Sequence, residues 1–271
     1  MDPRQIGTVA AKEFWDRIRN RWVLAVALVF TAFALVIAYF GAAQQGTVGF
    51  RSIEVTIASL VSLVIYLIPL IALVLGFDAI VGERERGSLD LLLSMPITRL
   101  ELLLGKYFGL AAALAFSTVA GFGLVAVVLS AQLDLTALFH FFGFVASSVL
   151  LGMAFLSIAV MLSVFAADRT RASGLAIATW FFFVLVFDLL LLGALVVTGG
   201  SYGGQSLPYL LLLNPADVFR ILNIFTLEDV RTLYGLATVF PRALAEPWLL
   251  TLVMLAWIVA PLGVASWRFR K

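Results

Sequence analysis

Gly82-Glu83-Arg84-Glu85-Arg86-Gly87-Ser88-Leu89-Asp90 is a dense charged knot between two long apolar runs, in a chain of 271 residues that is 63% hydrophobic and 13% charged. The runs around it decide the fold class. A helix needs about 20 apolar residues to cross a hydrocarbon core of about 30 Å. Six runs meet that length: 22–40, 56–77, 107–131, 135–167, 172–198 and 248–267. Short alternating strands of about ten residues, as in an outer-membrane barrel, do not fit this pattern. The sequence predicts an all-α integral membrane protein with six transmembrane helices. The knot lies in the 78–106 segment and leads into an amphipathic run from Leu91 to Leu104. Alternating carboxylates and guanidinium groups on such a loop suit a grip on a soluble protein partner. Gly82, Glu83, Arg84, Glu85, Arg86 and Gly87 are the candidate docking residues.

Six spans place both termini on one side, and the basic residues choose which. Five precede the first span (Arg4, Lys12, Arg17, Arg19, Arg21) and four surround the knot (Arg84, Arg86, Arg99, Lys106). Arg169 and Arg171 lie in the next segment on that side, and Arg268, Arg270 and Lys271 end the chain. The opposite side holds only Arg51, Arg220, Arg231 and Arg242. The positive-inside rule then predicts cytoplasmic termini and a cytoplasmic knot. No basic patch on a soluble face supports nucleic-acid binding. Without cysteine the chain has no disulfide, thiolate ligand or cysteine nucleophile. The first apolar run exceeds a signal-peptide core of about 7–15 residues and is expected to stay as an anchor.

One domain over 1–271 is the simplest organisation. Residues 1–21 read as an amphipathic helix lying in the interface, with Ile6, Val9, Ala10, Phe14 and Ile18 on one half of the wheel. A polar N-terminal tail is the alternative. Pro69 is expected to kink the second span. The 33-residue fourth run would be about 50 Å long as a helix. It must tilt, bend at Gly143 or Gly152, or project beyond the bilayer.

The 199–247 segment opens on a glycine-rich turn and an apolar stretch too short to span. Asn214-Pro215 then begins a new amphipathic helix, with proline at its first position. The segment reads as a re-entrant or interfacial helical pair forming an outer gate or a docking site, or as an ordinary loop on the bundle. Its candidate docking residues are Asn214, Pro215, Asp217, Arg220, Glu228, Asp229 and Arg231. Asp217 and Arg220, three apart, are spaced to pair with a partner or with each other.

Residues that carry chemistry are few. Gly105-Lys106 lacks the upstream glycine and following Ser or Thr of a phosphate loop, and Ser201-Tyr202-Gly203-Gly204-Gln205 has no nucleotide-binding context. The chain is not expected to hydrolyse ATP by itself. Asp78 ends the second span, where it can snorkel or cap. Asp188 sits about 16 residues into the fifth run, roughly 21–24 Å deep. A carboxylate at that depth is protonated, paired or facing water. The single histidine, His140, lies at a comparable level, and a His140–Asp188 contact fits both positions. Such a pair serves either structure or a transport path. An aspartyl-protease dyad of Asp78 and Asp188 fails because the two lie near opposite surfaces. Met153, Met161 and Met254 are read as packing residues rather than Cu(I) ligands. No metal site is expected.

The run from Val81 to Arg99, followed by Gly105-Lys106, resembles the first cytoplasmic loop of ABC-2 type permeases. In that family this loop carries the coupling helix that docks on a separate ATPase. Residues 77–83, 180–192 and 210–217 are similar to permeases of transporters that serve copper-site maturation of nitrous oxide reductase. The resemblance implies a non-catalytic transmembrane subunit without a cofactor of its own, ATP and magnesium being bound by the ATPase. It also implies a second copy of the permease and a periplasmic partner. The competing readings are a permease for a drug, lipid or polysaccharide, and a membrane enzyme or channel.

Overall fold

In hydrocarbon each backbone N–H and C=O must find its bond within the protein, so long apolar runs fold as helices. The computed structural model describes residues 2–19, 21–40, 53–129, 135–197, 208–224 and 244–270, and contains no strand among them. Helix α1 covers Pro3–Arg19, α2 Trp22–Phe40, α3 Ile53–Gly76, α4 Val81–Glu85 and α5 Ser88–Ser94. Helices α6 (Arg99–Leu129) and α7 (Leu135–Phe165) follow. Helix α8 (Arg169–Phe181) passes through a π-helical stretch, Phe182–Val186, into α9 (Phe187–Val197). The short α10 (Pro215–Ile224) and the long α11 (Pro247–Arg270) complete the order. Five stretches are long and apolar enough to cross a membrane: Ile57–Glu85, Arg99–Val127, Leu138–Phe165, Arg169–Val197 and Pro247–Arg270. The α1–α2 pair, bent by 63°, brings the number to six when it is counted as one span. The protein is all-α and membrane-spanning.

Helix α7 is the centre of the bundle, packed by α3, α6 and α11, while α1 and α2 lie along α6 and α10 wedges among α3, α7 and α11. Lipid is as apolar as leucine, so these contacts depend on close approach and inter-helix hydrogen bonds rather than on escape from water. Helix α6 supplies the close approach. A Cβ at Gly105 would stand 2.6 Å from Cβ of Val9, and one at Gly109 2.5 Å from the Ala10 carbonyl. About three turns further along, Thr31 Oγ1 donates to the Gly121 carbonyl at 3.1 Å, joining α2 to the same helix. The start of α6 is held by a capping box, with Thr98 N–H donating to Glu101 at 2.9 Å and Glu101 N–H donating to Thr98 Oγ1 at 3.3 Å. Glu101 also accepts from the Asp2 N–H at 2.6 Å, tying the beginning of α1 to that of α6.

A chain of rings crosses the core. Phe30 of α2 meets Phe122 of α6 at 5.2 Å, Phe122 meets Phe144 of α7 at 5.3 Å, and Phe144 meets Phe219 of α10 at 6.1 Å. All four are fully buried. Offset and edge-on pairs at these separations add about 0.5–1.5 kcal/mol each beyond burial.

The fourth run forms one 31-residue helix. Its Gly152 serves packing: a Cβ there would lie 2.7 Å from Leu114. The chain continues as helix through Pro69. Residues 3–19 do form the expected N-terminal helix, but it is not simply laid on a surface, because Glu13 is buried against α6.

The glycine seam predicts that Gly109→Leu forces α1 off α6 and destabilises the protein by about 1–3 kcal/mol, the usual cost of overpacking. Gly123→Leu, which faces open space, is the control. Thermal unfolding in detergent should separate them, with a lowered midpoint for the first and little change for the second.

Candidate functional site

An ammonium buried away from water must be paired, and Lys106 is 4% exposed. Its Nζ lies 2.6 Å from Glu13 of α1 and 2.9 Å from Glu83 of α4. One cation on α6 therefore binds carboxylates from two other helices. Ser88 donates its hydroxyl to the other Glu83 oxygen, closing the turn into α5. Arg86 stands 3.9 Å from Glu83 on the exposed side and offsets the second carboxylate.

The remaining knot residues also bond inward. Arg84 donates to the carbonyls of Ala166 (3.0 Å) and Val164 (3.3 Å) at the end of α7, where helix carbonyls lack partners and carry partial negative charge. Glu85 accepts from the Arg169 N–H at 2.8 Å, at the first turn of α8. Asp168 caps the same helix by accepting from the Arg171 N–H at 2.8 Å. The Arg169 side chain reaches Asp78 at 2.7 Å. Ser163 Oγ of α7 accepts from the N–H groups of Ile80 and Val81 at 2.9 and 3.0 Å. Two glycines make this geometry possible. A Cβ on Gly82 would collide with the Asp78 carboxylate, and Gly87 turns the chain at φ +69°, in the left-handed region that favours glycine.

The knot is thus a strut that fastens α1, α6, α7 and α8 while keeping an exposed face. Gly82 is buried and Glu83 faces inward, whereas Arg84, Glu85, Arg86 and Gly87 are exposed even as Arg84 and Glu85 bond the protein's own groups. Exposed apolar side chains follow on α5 and at its C-cap, Leu91 at 69% and Met95 at 53%, beside exposed Asp90 and Ser94. In sequence these apolar side chains are indistinguishable from the lipid-facing ones of the neighbouring runs.

A second polar cluster holds α10. Arg220 donates to Asp217 at 2.6 Å and to Asp188 of α9 at 3.1 Å. Asn214 donates to Asp217 and to the Phe183 carbonyl, both at 2.8 Å, and accepts from the Ala216 N–H at 3.0 Å. Phe183 lies in the π-helical stretch, where the widened turn changes which carbonyls are free. Asn223 and Ser147 join α10 to α7 at 3.0 Å, and Trp257 donates to the Leu212 carbonyl at 3.2 Å.

This arrangement corrects two expectations. Asp188 pairs with Arg220 and not with His140, which lies half-buried on α7 beside a cavity of about 360 Å³ shared with Ser147, Asn223 and Thr251. Its Nδ1 is buried and has no hydrogen-bond partner among the described residues. Asn214, Pro215 and Asp217 are buried, so they do not offer a docking face here. The Asp217–Arg220 spacing is spent internally, with Arg220 partly exposed. Glu228, Asp229 and Arg231 lie outside the described residues, as does much of 199–247. Among the described residues no three His, Cys, Asp or Glu side chains gather as a metal site.

Burial pushes the Asp217 carboxyl up to about 7, against the pull of Arg220 and with the neighbouring Asp188 carboxylate adding to the rise. The folded protein therefore binds the Asp217 proton more tightly than the unfolded chain does. Its contribution to stability is therefore complete below the free carboxyl's value near 3.8 and is lost as pH rises through about 7. Asp217→Asn should flatten the pH dependence of the unfolding temperature across that window. An unchanged pH profile in the variant contradicts the assignment.

The chain matches the family model described as ABC-2 family transporter protein over residues 7–271. It is 44% identical over 271 residues to the "Probable ABC transporter permease protein NosY" of Stutzerimonas stutzeri, covering 98% of each chain. It is likewise 44% identical over 272 residues to the protein of the same name from Pseudomonas aeruginosa, again covering 98% of both. The all-helical membrane bundle and these full-length matches place one conclusion beyond the geometry alone: this chain belongs to the ABC-2 family of transporter permeases.

Proposed function

We propose that this permease couples ATP hydrolysis by a separate ATPase to copper-site maturation of nitrous oxide reductase. The full-length 44% identity to permeases named NosY carries the reading. The subunit is non-catalytic and holds no cofactor of its own. ATP and magnesium bind to a NosF-like ATPase, a second copy completes the membrane part, and a NosD-like protein meets the periplasmic face. The excess of Lys and Arg at the knot end supports a cytoplasmic knot and cytoplasmic termini in the inner membrane.

The geometry supports a mechanical role. A push on exposed α5 reaches Glu83 and Lys106 through the Ser88 turn, and reaches α8 through Glu85, Asp78 and Arg169. Helix α8 continues through the π-helical stretch to Asp188, and Arg220 passes the displacement to α10. The path links an ATPase contact at one end with the re-entrant helix toward the other. Motion delivered to a periplasmic copper-handling partner needs no metal ligand in the bundle.

The test replaces the two exposed apolar residues on α5 and at its C-cap. Leu91→Asp with Met95→Asp should insert normally, lose co-purification with the ATPase, and leave the reductase short of copper. Retained ATPase binding together with normal copper loading contradicts the proposal. Loss of ATPase binding with normal copper loading keeps the coupling site and excludes the reductase role.

A further inference from the structure

A cavity of about 500 Å³ opens beside the knot, between α5, the end of α7 and the end of α11. Three guanidinium groups line it, from three separate helices: Arg84 of α4, Arg99 at the first position of α6, and Arg268 near the end of α11. Only one acid, Asp90, lines it with them. None of the three arginines forms an ion pair with a carboxylate among the described residues. Arg84 and Arg99 spend part of their donor capacity on backbone carbonyls, those of Val164, Ala166 and Phe269. Arg268 makes no hydrogen bond or ion pair among the described residues. Asp90 likewise has no side-chain partner among the described residues, and as the single acid in the lining it leaves the cavity with a surplus of positive charge.

The level of the cavity in the bilayer follows from the helices around it. Helix α6 begins at Arg99, α7 ends at Phe165 and α11 ends at Arg270. Exposed Trp267 precedes Arg268, and exposed tryptophan beside basic residues is characteristic of the headgroup layer. The floor is apolar, with Leu89, Val164 and Phe269 all buried. Negative charge at the end of α7 opposes an anion there, but Arg84 already covers those carbonyls. Arginine suits phosphate because its planar donors bind two oxygens together.

We propose that this cavity binds the phosphodiester of an anionic phospholipid such as phosphatidylglycerol, with Arg99 and Arg268 as the principal donors. The shared chemistry is a phosphate oxygen cluster, and a membrane lipid is favoured over free phosphate because the apolar floor lies at headgroup level. The bound lipid would sit against α5, so lipid composition would bear on the segment through which the knot is moved. The assignment of the cavity does not depend on which substrate the permease serves.

The full-length chain in detergent, titrated with phosphatidylglycerol or phosphatidylcholine and read by native mass spectrometry, tests this. Wild type should retain phosphatidylglycerol over phosphatidylcholine. Arg268→Gln should weaken that retention about fivefold, the effect of one basic residue near an anionic surface, and Arg99→Gln with Arg268→Gln more strongly. Arg270→Gln removes the same charge from a residue that does not line the cavity and should change retention less than twofold, a factor set well below the about fivefold expected per lining arginine. Because the Arg268 side chain has no partner among the described residues, its single variant keeps the test valid if the double variant folds poorly. Equal retention in Arg268→Gln and Arg270→Gln overturns the proposal. So does displacement of lipid preference by millimolar inorganic phosphate, which would assign the site to a free anion. Unchanged lipid retention with lost ATPase co-purification also overturns it, giving the arginines to the partner protein.

Discussion

A buried ammonium that binds two carboxylates from two other helices is the constraint on which the rest of this structure depends. Lys106 cannot be removed from water alone, and its partners Glu13 and Glu83 cannot be buried without it. Losing one member of such a group leaves an uncompensated charge and costs about 3–5 kcal/mol. The pairing fixes the height of α1 against α6, which in turn requires the bare glycine faces at Gly105 and Gly109. It also fixes α4, and through the turn at Gly87 it sets where α5 projects. A charged group that is costly to bury thus sets register between helices that lipid would otherwise leave free to slide.

The bundle has two polar anchors joined by one poorly covered span. The knot holds α8 at its first turn through Glu85, Asp78 and Arg169. The Asp188–Arg220–Asp217 cluster holds the continuation of that span against α10. Between them only Ala172, Ala176 and Val184 of the span are buried. A helix gripped at two places and lightly packed between them can transmit displacement without dismantling a core. The π-helical stretch sits on this path, with Asn214 bonded to one of its carbonyls.

The helical class, the spans and the helix starting at Pro215 were legible because they rest on run length, backbone satisfaction and proline at a helix start. Observed helices and apolar runs agree closely, as for 22–40 and α2. The destinations of charged side chains were not legible. Glu83 and Arg86 look alike in the sequence, yet one faces Lys106 and the other faces water. Deciding between them requires knowing that α1 returns to cover α6, a contact between residues about ninety positions apart. Asp188 was correctly singled out as needing a partner, but depth alone did not distinguish His140 from Arg220. The arginine arrives on a helix whose course is set by Asn214 and the π-helical stretch. Leu91 and Met95 were hidden because exposed apolar residues are unremarkable in a membrane sequence until their level is known.

In the proposed coupling, the knot passes motion to α10 through Arg169 and the α8–α9 span. The chain has no cysteine, so spin labels can be placed singly. Leu213 and Trp248 are exposed, one just before α10 and one at the start of α11, and suit a label pair once each is replaced by cysteine. Pulsed electron–electron resonance on the complex with its ATPase should show the distance between them shifting when nucleotide binds. Arg169→Ala should abolish that shift while the ATPase remains bound. A shift that survives Arg169→Ala unchanged would contradict the account.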